Sequence, residues 1–207
     1  MDLEDYGQPA NFLASQVWPS ARVAAIAMEQ QLSAKALSSM TVCEFGCGPG
    51  LPSLTAAKLG AQNVVATDLD PLALELVQKA SEEQGFQHVL QTQRFDLTGD
   101  VLDDNKNRLP EADLYLLSDV FESKQVALGA ARVTCQILHK SQNARIWVFA
   151  QSDRACREDY LEAMRKQHQD KEGSRLEWLP MDQHDIRQQS TSKLLLFDLD
   201  ETTVAYG

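Results

Sequence analysis

Apolar and polar positions along this chain follow two alternating periods. Short apolar runs read as strands: Met40 to Phe45, "NVVATDLD" from Asn63, "HVLQTQRFD" from His88, "DLYLLSD" from Asp113 and "ARIWVFA" from Ala144. Between them the spacing becomes helical. "WPSARVAAIAMEQQL" puts Pro19 in a first turn and Ala21, Ala24, Ala25, Met28 and Leu32 on one face. "LPSLTAAKLGA" reads as a helix closed by Gly60. "PLALELVQKASEEQG" has Asp70 as N-cap, Pro71 in the first turn, Ala73, Leu76, Val77 and Ala80 on one face and Gly85 at its end. Val126, Ala130, Val133 and Ile137 mark a further amphipathic helix.

Later segments are more polar. "LTGDVLDDNKNRLPEAD" has turn residues without a period and reads as a surface loop. Arg154 to Lys171 carries charges of both signs at short spacing, which predicts an exposed helix with a solvated face. "KLLLFDLD" and, before it, "RLEWLP" are the last expected strands. Strand and helix in alternation predict an α/β fold: a Rossmann-like, doubly wound, mainly parallel sheet of roughly seven strands, helices on both faces, and an antiparallel strand near the C-terminus. We expect one domain over 1–207. Its segment 1–35 carries a helix that covers the ligand site, and 40–207 forms the core.

Composition sets the chemistry. With 43% hydrophobic residues among 207, the chain can bury a sizeable core. A formal net charge of −11 repels a phosphate backbone, so nucleic acid is not an expected substrate and basic or neutral partners are. Cys43, Cys47, Cys135 and Cys156 form no CxxC pair and have no histidine at metal-ligand spacing, so they read as free buried thiols and no metal is expected. His88, His139, His168 and His184 are scattered and receive no role. The N-terminus has no basic region followed by an apolar run, and no segment has the apolar length of a membrane span, so a cytoplasmic protein is expected.

The candidate site begins at "CEFGCGPGLPS", Cys43 to Ser53, where Gly46, Gly48 and Gly50 follow a strand. In a doubly wound sheet, ligands bind at the carboxyl ends of the strands, where glycines let a ligand approach the backbone. The spacing is GxGxG. A dinucleotide fingerprint is GxGxxG and a phosphate loop is GxxxxGK followed by Ser or Thr, so the loop suits a nucleoside with a zwitterionic tail better than a pyrophosphate. Asp68, ending the second strand, can accept hydrogen bonds from both ribose hydroxyls. Asp96, ending the third, can meet an adenine amino group or simply cap its loop.

These residues resemble a known family. "EFGCGPGLPSLTAAKLGAQNVVATDLDPLALEL" is similar to the cofactor half of class I (seven-β-strand) S-adenosylmethionine (SAM)-dependent methyltransferases. "QVWPSARVAA" narrows the resemblance to the methyltransferase-like protein-lysine methyltransferases and their nicotinamide N-methyltransferase-like relatives. The resemblance implies SAM as cofactor, S-adenosylhomocysteine as product, and contacts from Glu44, Gly46, Cys47, Gly48 and Gly50 around the methionine portion. Asp68 and Leu69 would hold the ribose and flank the adenine, and Phe95 and Asp96 stand where many relatives have Trp followed by Gly. Trp18 would close the site, or else serve as a core aromatic. Ser118 and Asp119 would line the methyl-transfer side.

Lysine-modifying members carry Asp-x-x-Tyr after the fourth strand. Here "SDVFES" keeps Asp119 and has Glu122 in place of the Tyr. A carboxylate pair of this kind suits a guanidinium or another cation, although Glu122 is equally explained as a first-turn acid favoured by the helix dipole. Phe121, Trp147 and Trp178 read as packing residues. The expected function is methyl transfer from SAM to a Lys or Arg nitrogen of a protein substrate, by a monomer. The alternatives are N-methylation of a small amine, a silent SAM-binding module and an NAD-dependent oxidoreductase.

Overall fold

Strand β1 (Thr41–Phe45) is buried on both faces because it lies in the middle of a parallel sheet covered on both sides. The computed structural model describes residues 16–100, 107–141, 143–168, 177–180 and 193–199. In chain order the remaining elements are α1 (Pro19–Gln31), α2 (Ala34–Leu37), α3 (Leu51–Lys58), β2 (Asn63–Asp68), α4 (Pro71–Glu83), β3 (Leu90–Arg94), β4 (Leu114–Ser118), α5 (Lys124–Lys140), β5 (Arg145–Gln151), α6 (Arg157–His168), β6 (Leu179–Pro180) and β7 (Leu194–Leu199), with α1 and α2 preceding β1. The sheet order is β3-β2-β1-β4-β5-β7-β6. Six strands of five or more residues make up the parallel sheet, and the two-residue β6 extends its edge.

Side chains alternate across the sheet with a period of two. Val42, Leu114, Leu116, Trp147, Phe149, Leu195 and Phe197 pack toward α1, α3 and α4. Cys43, Phe45, Tyr115, Leu117, Ile146, Val148 and Leu196 face the other way, onto α5 and α6. Gly60 (φ 92) and Gly85 (φ 78) end α3 and α4. In both, the two amides after the cap reach back to free carbonyls: Ala61 N to Ala56 O and Gly60 N to Ala57 O, Phe86 N to Ser81 O and Gly85 N to Glu82 O.

Several expectations need correction. β7 runs parallel to β5, Ile146 opposite Leu194 through Gln151 opposite Leu199, so the expected antiparallel strand is absent among the described residues. β7 runs in the same sense as both of its neighbours, since β6 is parallel to it too, Leu179 opposite Phe197 and Pro180 opposite Asp198; the chain that joins β6 to β7 lies outside the described residues. On α4 the buried face is Ala73, Val77 and Ser81, an i, i+4, i+8 stripe, while Leu76 is 40% exposed. α6 is not wholly exposed: Tyr160, Leu161 and Met164 are buried, and Thr134 of α5 bonds the Tyr160 hydroxyl at 3.1 Å. β3 begins at Leu90, two residues later than its apolar pattern, because Phe86–Val89 forms a turn closed by Val89 N to Phe86 O. Cys43, Cys47 and Cys135 are buried free thiols, but Cys156 is only half-buried. His184, part of "RLEWLP", part of the acidic loop and the end of the charged helix segment lie outside the described residues.

Candidate active site

Parallel register brings the carboxyl ends of β1 to β4 to one edge, with Phe45 opposite both Thr67 and Leu117 and Asp68 opposite Arg94. Order reverses beside β1, whose neighbours are β2 and β4, which is the switch point where a doubly wound sheet binds ligands. A cavity of ≈ 450 Å³ opens there, within the range for a small-molecule site.

Its floor is the glycine loop. Gly46, Gly48 and Gly50 have φ of 63, 48 and 74, backbone that a side chain strains. A Cβ at Gly46 would stand 2.6 Å from Val120 Cγ1, so the loop packs directly on the segment after β4. Cys47 N donates to Thr67 O at 2.9 Å and the Thr67 hydroxyl to Glu44 O at 2.9 Å, tying the loop to β2. Gly50 does not line the cavity; it is the left-handed cap of α3 and lies against Val77. Glu44 is 1% exposed, and its Oε2 accepts from both the amide and the hydroxyl of Ser53 in the first turn of α3. Burial outweighs those bonds and pushes the Glu44 carboxyl up to about 8.

Asp68 is pinned at both oxygens: Gly48 N donates to Oδ2 and Asp70 N to Oδ1, each at 2.9 Å. The Gly48 amide therefore orients Asp68, not the methionine portion of a ligand. Each carboxylate oxygen retains a second acceptor direction toward the cavity that Asp68 lines, and burial raises its pKa. Leu69, 47% exposed, supplies an apolar wall beside it. Across the cavity Phe95 is 2% exposed and packs on Phe45 at 5.1 Å, so it is chiefly a core residue that touches the cavity. Asp96 caps its own loop: Thr98 N and the Thr98 hydroxyl donate to Oδ1 at 2.8 and 2.7 Å. Against partial burial, these bonds hold its carboxyl below the ordinary value.

The fourth wall comes from the end of β4. Ser118 is 8% exposed, and its hydroxyl is buried without a hydrogen-bond partner. Asp119 has φ 63, the one positive φ of a non-glycine among the described residues. Its carboxylate receives a two-pronged bond from Arg154, Nε to Oδ1 at 2.8 Å and Nη2 to Oδ2 at 2.7 Å. Burial raises the Asp119 pKa and the Arg154 pair opposes it. Trp18 lines the mouth, with Arg154 Cζ 4.6 Å from its ring centroid. Glu122 is exposed at the rim; desolvation there, then the charges of Asp68 and Asp119, push its carboxyl up.

Sequence reasoning missed Arg154, because a pair between the ends of β4 and β5 has no local spacing. It also missed the support of the Asp96 loop. Asn107 accepts from Asp96 N at 2.8 Å and donates back to Asp96 O at 2.9 Å. Arg132 Nη2 donates to the carbonyls of Leu97, Thr98 and Gly99.

Two observations test whether this cavity suits a nucleoside with a cationic tail. Ser118 Oγ and Asp70 Oδ2 are buried polar atoms without partners on residues that line it. Six acids line it, Glu44, Asp68, Asp70, Asp96, Asp119 and Glu122, against Arg154 as the one Lys or Arg among the lining residues. Both fit SAM, whose net charge is positive.

Comparison with known proteins agrees. Residues 21–109 match the family ribosomal protein L11 methyltransferase (PrmA). The L11 methyltransferase of Vibrio campbellii is 42% identical over 55 residues, 27% of this chain and 19% of that protein. The L11 methyltransferase of Histophilus somni (strain 2336) is 32% identical over 102 residues, 47% of this chain and 34% of that protein. The matches thus span between about a fifth and a third of these relatives. Among solved structures, that of the [4+2]-cyclase SpnF shares the fold, with a TM-score of 0.50 at 16% identity over 71% of this chain and 57% of that one.

Proposed function

We propose that this chain is a SAM-dependent methyltransferase that modifies a side-chain nitrogen of a protein; the L11 methyltransferases it resembles are named for methylating a ribosomal protein. The observation that carries the reading is the coincidence of two independent facts. The segment similar to that family, 21–109, supplies the glycine loop, Asp68 and Asp96, and those groups surround one cavity with unsatisfied polar atoms. A kinship with the methyltransferase-like protein-lysine enzymes is part of the proposal, supported by Trp18 at the cavity mouth, as is a monomeric, cytoplasmic, one-domain protein; of the segment 1–35 expected to cover the cofactor, residues 1–15 lie outside the described residues.

When bound, SAM would supply a methyl group on a sulfonium sulfur, open to in-line attack at carbon by a neutral nitrogen, with S-adenosylhomocysteine as the thioether leaving group. The protein's part is positioning and desolvation. Asp68, held by two backbone amides, accepts from the ribose hydroxyls without having to reorganise. The Ser118 hydroxyl, buried without a partner on a residue that lines the cavity, is the donor we assign to the ligand. A lysine amine has an ordinary pKa near 10.4, so it must lose a proton before reacting. Glu122 at the rim attracts the cationic side chain and can take that proton toward solvent.

The test is calorimetric titration with SAM, S-adenosylhomocysteine and NAD, with Asp68→Ala as control, followed by transfer of labelled methyl to peptide pools and to metabolite pools. The expected result is binding of both sulfur nucleosides, weakened at least tenfold by Asp68→Ala, with label entering peptides. Preference for NAD would overturn the cofactor assignment. Label entering only metabolites would replace the protein substrate with a small amine, and intact SAM binding with no transfer to either pool would leave a binding module.

A further inference from the structure

This inference rests on the methyl-transfer reading and concerns the acceptor side of the cavity. The pair Asp119 and Glu122 suits a guanidinium by sequence, yet the structure already gives Asp119 one from within the chain. Arg154 meets it fork to fork through Nε and Nη2, at 2.8 and 2.7 Å, occupying both carboxylate oxygens in one plane. The Asp119 side chain is 1% exposed and that of Arg154 is 25% exposed. Asp119 keeps a positive φ, fixed by its amide donating to Phe149 O at 2.9 Å, so the carboxylate is held toward Arg154 by its backbone. The guanidinium lies over Trp18 at the mouth. All three residues line the same cavity as Glu122, which makes no ion pair among the described residues.

We propose that Arg154 is the specificity-determining residue of the acceptor site: it occupies Asp119 as a substrate guanidinium would, excludes arginine side chains, and leaves Glu122 as the carboxyl that meets an incoming amine. A second guanidinium finds no free pair of oxygens at Asp119, and displacing Arg154 would strand a charge that is a quarter exposed against one that is buried. An amine needs only a point contact, which a single rim carboxyl supplies. Replacing Arg154 therefore turns Asp119 into a vacant guanidinium site.

The experiment uses the full chain, Arg154→Ala, Arg154→Gln and the double variant Arg154→Ala/Asp119→Asn, each checked first for SAM binding. Ethylguanidinium and ethylammonium are titrated at millimolar concentration, and labelled methyl transfer is compared on peptides whose only acceptor is Lys or Arg. Wild type is expected to ignore ethylguanidinium. Both single variants should bind it at least tenfold more tightly, the double variant should lose that gain, and the Arg-to-Lys transfer ratio should rise at least tenfold in the single variants. A purely structural role for Arg154 would not create a guanidinium site that depends on Asp119. Single variants that bind SAM but take ethylguanidinium no better than wild type would overturn the proposal, as would wild-type transfer to Arg-only peptides. Failure of wild type to bind SAM would instead sink the methyl-transfer reading, while the guanidinium titration still reports on Arg154.

Discussion

Replacing Gly50 by alanine tests how the glycine loop is built. At Gly50, φ is 74, and a Cβ would stand 2.5 Å from Val77 Cγ2 and 3.1 Å from Cγ1. Two costs add. A residue with a Cβ in left-handed backbone loses about 1–2 kcal/mol, and a methyl forced into packed space costs about 1–3 kcal/mol. Val77 cannot swing aside easily: it is 0% exposed, and a β-branched residue within a helix has essentially one rotamer. The expected loss is about 2–5 kcal/mol, a large share of the roughly 5–15 kcal/mol that stabilises a domain. For a chain of this size, that lowers Tm by about 4–20 °C.

A companion change, Val77→Ala, separates the two costs. Alone it costs about 1.5–3 kcal/mol of lost burial. With Gly50→Ala it removes the collision but not the backbone strain, and the new methyl fills part of the hole. The double variant should therefore be more stable than the sum of the singles by about 1–3 kcal/mol. Urea unfolding of the four proteins, with m-values compared, measures this coupling. Additivity within about 0.5 kcal/mol would refute the close approach of loop and helix α4, leaving conformational freedom as the only reason for a glycine here.

Other consequences follow from the same geometry. Glu44 has a folded-state pKa of about 8 against an ordinary 4.5, so both states are protonated below pH 4.5 and stability is complete there. Between pH 4.5 and 8 only the unfolded chain releases the proton, and stability falls by at most on the order of 5 kcal/mol. Glu44→Gln should flatten that fall in urea midpoints measured from pH 5 to 8, and an unchanged slope would contradict the assignment. Ser118→Ala should leave stability unchanged or raise it, because an unpaired buried hydroxyl costs about 1–3 kcal/mol. It should weaken SAM binding in calorimetry, and destabilisation with unaltered affinity would contradict a ligand-facing role. Gly129→Ala drives a Cβ into the backbone carbonyl of Leu97, so it should displace the loop that Arg132 clamps. Both Tm and SAM affinity should fall, and a change in neither would show that the loop does not bear on the site.

What was legible in the sequence was local. The runs around β1, β2, β4 and β5 are apolar through both periods because parallel strands are covered on both faces. Gly60 and Gly85 announce helix ends because each takes a positive φ no other residue adopts as readily. The Asp68 position was readable for the same reason: strand ends in a parallel sheet share one edge. Gly129 was not readable, since nothing in "ALGAAR" tells that a backbone carbonyl from residue 97 passes against it. Arg157 hides likewise: its bond to Asp198 and its place over Trp178 join α6 to β7 and the segment before β6. Strand direction near the C-terminus was not readable, because a short run such as Leu194–Leu199 carries no sign of which edge it enters from.

Charge separates the candidate cofactors where glycine spacing alone is a weak guide. The GxGxG loop and the acid at the end of β2 are compatible with a nucleoside of either kind, and Asp68 would accept from a ribose in both. NAD carries a pyrophosphate, and it would have to lie among Asp68, Asp70, Asp96 and Glu122, where the one Lys or Arg among the lining residues is an Arg154 already committed to Asp119. At an effective dielectric of about 20, two like charges about 4 Å apart repel by roughly 4 kcal/mol, which a single glycine-loop amide does not offset. That loop has fewer amides to give than its spacing implies, because the Gly48 amide is spent on Asp68 and the Cys47 amide on β2. SAM carries a sulfonium and an ammonium against a single carboxylate, so its net positive charge is attracted where a pyrophosphate is repelled. The acids that make a dinucleotide costly are thus the ones that favour SAM, and under the proposed function the same charges would draw a basic side chain to the rim where Glu122 stands.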